Sequence, residues 1–250
     1  MRIDKKEVFT LVGAALILGF VTSYTQWGYG ESVNYAVGIA NWIRAAIIAF
    51  IAYSVYLIST KSVARLHGAT STLGIWGIER FWFSKSSKIS KLSFLGAKFK
   101  TFKAGLIFPL LFSILSSGLI NVATIAHTKL NEISSQRAGK KYTHLTDFEV
   151  ARIHLAGPLA CLFLAIVLSP LDSFNNLVEI SKIIAIYSFV PLGNLDGTKI
   201  LFGSIPLYLF GLIFTILSLL LINMLTPIAT IVWSILTAFI ILLIYLYRTN

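Results

Sequence analysis

The sequence is short of cysteine, acids and histidine. Cys161 is the only thiol in 250 residues and sits inside an apolar run. One thiol excludes an internal disulfide and a cysteine-built metal cluster, so Cys161 reads as a small packing residue. Charged residues make up only 12% of the chain, with 10 acids against 21 lysines and arginines. What is abundant is apolar surface: 56% of residues are hydrophobic and the mean hydropathy is +0.81. A soluble domain of this size cannot bury that much, so the expected class is an all-α polytopic membrane protein. The net charge is +11 and the sequence pI ≈ 9.8. In such a chain the excess marks cytoplasmic loops and contact with anionic lipid head groups. Lysines interleaved with aromatics also occur in single-strand nucleic-acid grooves, but membrane flanks explain the pattern here, and no nucleic-acid partner is expected.

The apolar runs predict about six crossings in one membrane domain. Residues 1–59 hold two spans, 8–27 and 35–59, and Arg44 falls inside the second. The start, MRIDKKE, is basic but lacks a small-residue cleavage site, so the first run is read as a retained span. Residues 60–152 form a basic cytoplasmic and interfacial region. Between 60 and 103 it carries nine lysines and arginines against Glu79 alone, which places this loop and both termini in the cytoplasm. Residues 73–83, LGIWGIERFWF, predict a small membrane-associated β element, and 84–103 an amphipathic interfacial segment. Residues 104–127 are apolar but basic on both flanks. A re-entrant element is expected there, with a helix over 106–114 and an extended return over 118–125; a full crossing is the alternative. Residues 153–200 supply two spans, 153–168 and 180–200, and 201–250 the last two, 205–223 and 227–247.

The most informative stretch is VPLGNLDGTKILFGS, residues 190–204. Pro191 and Gly193 interrupt an apolar run, and Asn194 and Asp196 follow directly. A carboxyl at membrane depth costs about 2.5–3.5 kcal/mol on insertion scales, which makes Asp196 the leading functional candidate. The span before it contains AGPLAC, where Gly157, Pro158 and Cys161 predict close helix approach.

These strings resemble the site-2 protease family of intramembrane zinc metalloproteases, especially its archaeal members. LDG at 195–197 is similar to that family's LDG motif, AGPLACLFLA to its GPLxN helix, and TKSVARLHG at 60–68 to the segment after its HExxH. The resemblance covers roughly residues 53–208. It implies that Asp196 matches the carboxylate ligand of zinc, with two histidines one helical turn apart completing the set and a neighbouring glutamate activating water. Here the matching positions are Tyr56, Leu57 and Thr60, so the ligand pair and the general base are absent. A second alignment, on His127 to Asn131, retains one histidine only, and Cys161 stands where GPLxN has asparagine.

The four histidines, His67, His127, His144 and His154, are not spaced as ligand pairs. Without zinc, Asp196 needs Lys199, amides of the broken turn, or its own proton as partner. The expectation is a catalytically inactive site-2-protease-like membrane protein that binds or scaffolds other membrane proteins and holds no metal; if any metal binds, Asp196 is its ligand. An active zinc protease with a divergent ligand set and a transporter or channel are the alternatives.

Overall fold

The computed structural model describes residues 4–27, 34–77, 92–94, 97–99, 103–119, 121–132 and 145–249. They are mostly helical. The helices are α1 (Lys5–Ser23), α2 (Tyr35–Leu66), α3 (Ala104–Leu115), α4 (Asp147–Leu168), α5 (Asn175–Tyr187), α6 (Asp196–Gly203), α7 (Ile205–Leu221) and α8 (Pro227–Thr249). The strands are β1 (Ala69–Ile75), β2 (Leu92–Phe94), β3 (Ala97–Phe99) and β4 (Ala126–Glu132). β1 pairs antiparallel with β4, and β2 with β3, in two separate two-stranded sheets.

Local chemistry sets the helix ends. Asn34 Oδ1 accepts from the Val37 amide and opens α2. At α4, Thr146 and Glu149 form a reciprocal capping box. Ser204 caps α7, with a proline in its first turn. α2 stops at Gly68, whose φ of 72° is a left-handed conformation that suits glycine.

Among the described residues, four helices are long and apolar enough to cross a membrane: Lys5–Gln26, Tyr35–Leu66, Asp147–Leu168 and Pro227–Arg248. From each, large apolar side chains project outward, such as Phe9, Ile43, Val167 and Phe239. α2, with 32 residues, is ~48 Å long at about 1.5 Å per residue, more than the ~30 Å apolar thickness of a bilayer. α3, at 12 residues, spans only ~18 Å. α4 is central, packing on α2, α5, α6 and α7. The main core joins Leu11 and Leu18 of α1, Tyr53 and Leu57 of α2, Leu162 and Ile166 of α4, Ile184 of α5 and Phe214 of α7. Ala14, Ala49, Ala52 and Ala165 are fully or almost fully buried between them, which lets the backbones come close.

Several expectations shift. The run 180–200 is not one helix: α5 ends at Tyr187 and α6 begins at Asp196, with a turn between them. The extended segment after α3 lies at 126–132, not 118–125. Ser117 (φ 53°) and Gly118 (φ 82°) turn the chain first, and strand pairing starts where AHTKLNE can meet β1. The strand expected over 73–83 starts earlier, at Ala69, because β4 supplies partners from Ala69 to Ile75; residues 78–83 lie outside the described set. Most of the proposed interfacial segment 84–103 does so too, although β2 and β3 form a short hairpin within it.

A buried ion pair fixes the start of the chain. Lys61 Nζ on α2 lies 2.5 Å from Glu7 Oε2 on α1, and Glu7 Oε1 accepts from the Leu73 amide of β1. One carboxylate thus joins three elements.

Candidate functional site

The site is built from four elements that meet at Asp196. The turn ahead of α6 is shaped by Pro191 and by Gly193, whose φ is +53°. It brings the first residues of α6 against the end of α5. A Cβ at Gly197 would lie 2.4 Å from the Phe189 carbonyl oxygen, so only glycine permits this approach. Asp196 is then buried at 2% exposure, while Asn194 and Lys199 remain exposed.

Four protein contacts reach the two oxygens of Asp196. The Tyr56 hydroxyl, from α2, donates to Oδ2. The Thr128 amide, from β4, donates to Oδ1 at 2.8 Å, and the Thr128 hydroxyl lies 3.3 Å from Oδ2. His154 Nδ1, from α4, lies 2.8 Å from Oδ1. An ionised carboxylate only accepts, so all four contacts are donors and the proton of a neutral His154 sits on Nδ1. Such charge-assisted bonds contribute about 1.5–3 kcal/mol each.

The helix positions follow from spacing. His154, Gly157, Pro158 and Cys161 lie at intervals of three, four and seven along α4, on one buried face. Gly157 faces the Tyr56 ring: a Cβ there would stand 2.5–2.7 Å from three of its atoms. Pro158 has no amide hydrogen to give the carbonyl of His154. Cys161 Sγ lies 3.6 Å from the Ala52 carbonyl, and Ser59 Oγ donates to that of Ala156 at 2.9 Å. Helices α2 and α4 are thus locked at the level of Asp196. His67 Nδ1, 3.4 Å from Glu149 Oε1, ties the end of α2 to the start of α4.

The three positions matched to the HExxH motif separate. Tyr56 reaches Asp196. Leu57 enters the main core. Thr60 is buried, and its hydroxyl turns back to the carbonyls of Tyr56 and Leu57. The second alignment, on His127 to Asn131, falls on β4. Residues four apart in a strand are separated by ~13 Å, so these two positions cannot act as a helical ligand pair. Arg44 is exposed on α2, away from the cluster.

Asp196 therefore finds neither of the protein partners expected from sequence. Lys199 points to the exterior, and the amide that reaches the carboxyl belongs to β4 rather than to its own turn. Of the four histidines in the sequence, His154 reaches Asp196, as a hydrogen-bond partner, and Thr128 is a partner that sequence reasoning does not supply. The spacing of His154 to Gly157, Pro158 and Cys161 carried a signal for the former. Nothing in the sequence marks Thr128, which contributes mainly a backbone group.

A zinc ion of the kind the resemblance implies does not fit this donor set. Three protein ligands are needed, commonly with two imidazoles. Here one imidazole and one carboxylate are hydrogen-bonded to each other, a phenol holds the second carboxylate oxygen, and among the described residues no group of three His, Cys, Asp or Glu side chains is arranged around a common point. Comparison with protein-family models, with curated proteins and with solved structures returned no match.

Proposed function

We propose that this chain is an integral membrane protein of site-2-protease type that does not cleave, and that it binds another membrane protein within a complex. The observation that carries this reading is the closure of Asp196. The carboxylate that would be the third zinc ligand is engaged by Tyr56, Thr128 and His154 instead, and Tyr56 stands where the first ligand imidazole would be. The phenol and carboxylate thus become a structural joint between α2, α4, α6 and β4. A buried polar network of this kind holds one arrangement of helices, because any other leaves a charge unsatisfied. In this reading both termini are cytoplasmic, α7 and the α5–α6 segment complete about six crossings, and α3 enters the bilayer without crossing it. The last point is supported by the ~18 Å length of α3 and by the return of the chain to β1 through β4.

The test is metal content together with cleavage. Purified protein in detergent should contain far less than one zinc per chain, a chelator should leave its unfolding unchanged, and a membrane-spanning substrate should stay intact. Stoichiometric zinc that is lost in Asp196→Ala, or chelator-sensitive cleavage, overturns the reading.

A further inference from the structure

Side chains alternate across a strand, and β4 serves two places by that alternation. Thr128, opposite Leu73, points to Asp196. His127, Lys129 and Asn131 belong to the other face, opposite Gly74, Thr72 and Thr70. On that second face lies a cavity of about 450 Å³. Its far side is formed by the start of α1, at Asp4, Lys6 and Thr10, and by Lys103 just ahead of α3. The volume is in the range of small-molecule sites, roughly 300–1,000 Å³.

The charge of the lining is asymmetric. Lys6, Lys103 and Lys129 are exposed, and among the described residues none forms an ion pair. Glu7 also lines the cavity but is already compensated by Lys61. Among the described residues, three ammonium groups therefore face one uncompensated carboxyl, that of Asp4. Thr72 and Asn131 add neutral polar groups, while the Thr10 hydroxyl donates to the Lys6 carbonyl at 3.0 Å. At Gly74 a Cβ would lie 2.5 Å from Lys129 Cε, so the bare backbone lets the lysine stem cross the strand toward the cavity.

The location indicates the source of the anion. Two apolar helices, α1 and α3, begin at this cavity, and Phe9 and Ile107, near their starts, are exposed at 80% and 39%. A polar, cationic pocket at the start of apolar helices lies where a bilayer passes from head groups to acyl chains. We propose that the cavity binds the phosphate of an anionic glycerophospholipid, held by Lys6, Lys103 and Lys129, with its acyl chains along the outer faces of α1 and α3. Asn194 of the turn ahead of α6 also lines the cavity, but the proposal does not depend on whether the Asp196 site cleaves, since none of the three lysines contacts that carboxylate.

The test is lipid binding by the full chain in a neutral detergent, with dioleoylphosphatidylglycerol, dioleoylphosphatidylcholine and inorganic phosphate as separate probes. The protein should select phosphatidylglycerol over phosphatidylcholine, and inorganic phosphate should compete only weakly. Each of Lys6→Gln, Lys103→Gln and Lys129→Gln should weaken phosphatidylglycerol binding roughly fivefold, and the triple variant about a hundredfold. Asp4→Asn should strengthen it, and Lys199→Gln, on the exposed side of α6, should leave it unchanged. The single variants keep the test decisive if the triple variant does not fold, because all three side chains are exposed. Undiminished selectivity in the lysine variants, an equal loss in Lys199→Gln, or binding without preference for phosphatidylglycerol overturns the proposal. Inorganic phosphate competing as tightly as the lipid also overturns it, and leaves a site for a soluble anion.

Discussion

Tyr56 on α2 and Asp196 at the start of α6 are 140 residues apart in the chain and share a buried hydrogen bond from phenol to carboxylate. Around this contact α2, α4, α6 and β4 are held in one arrangement, because His154 and Thr128 take the rest of the same carboxylate. The roles of the neighbouring residues follow from it.

Replacing Tyr56 by phenylalanine retains the ring packed on Gly157 and removes only the hydroxyl. One oxygen of a buried carboxylate loses its donor, at a cost of about 1–3 kcal/mol. Denaturant unfolding of the purified variant in detergent measures it, and an unchanged midpoint would show that the contact holds nothing together.

Asp196→Ala should be worse than Asp196→Asn. The alanine leaves Tyr56, His154 and the Thr128 amide without an acceptor, and loss of a partner from a buried charged network typically costs about 3–5 kcal/mol. The asparagine retains shape and one acceptor oxygen, so about 1–3 kcal/mol is expected. Comparable midpoints for the two would refute the four-contact geometry.

Gly157→Ala puts a methyl group inside contact distance of the Tyr56 ring. Overpacking of this kind costs about 1–3 kcal/mol. Since the ring must move away from Asp196, the effect should be non-additive with Tyr56→Phe, and a double-mutant cycle between the two reads that coupling directly.

Glu7 and Lys61 form a second buried joint, 2.5 Å apart, between α1 and α2. Glu7→Gln or Lys61→Met alone should destabilise by about 3–5 kcal/mol, since each strands a buried charge. The pair Glu7→Gln with Lys61→Met should lose less than the two single changes together. Simple additivity in unfolding midpoints would mean that the two side chains are not coupled.

How much of this was open to sequence reading varies with the type of interaction. Composition and long apolar runs pointed to the membrane character, because hydrophobicity is a sum over residues and needs no tertiary information. The break at Pro191 and Gly193, and Asp196 as the residue to watch, were also visible, since a proline, a glycine and an acid in an apolar run are local signals. The partners of Asp196 were not. Hydrogen bonds from a phenol, an imidazole and a backbone amide, brought in by three separate elements, depend on how helices cross and on strand register. The position of β4 was missed for a related reason: strand pairing requires a partner, and β1 lies more than fifty residues earlier.

By itself the sequence determined that this chain carries more apolar surface than water tolerates, where its helices break, and that an acid is left beside one break. Only the tertiary structure decided what that acid does. Burial forced the carboxylate to find donors, and the packing of α2 and α4 across Gly157 put a phenol and one imidazole within reach rather than a pair of imidazoles. The alternation of β4 then turned Thr128 to the carboxylate and Lys129 to a lysine-lined cavity beside it, an assignment that follows from the two-residue period of a strand and from its pairing with β1.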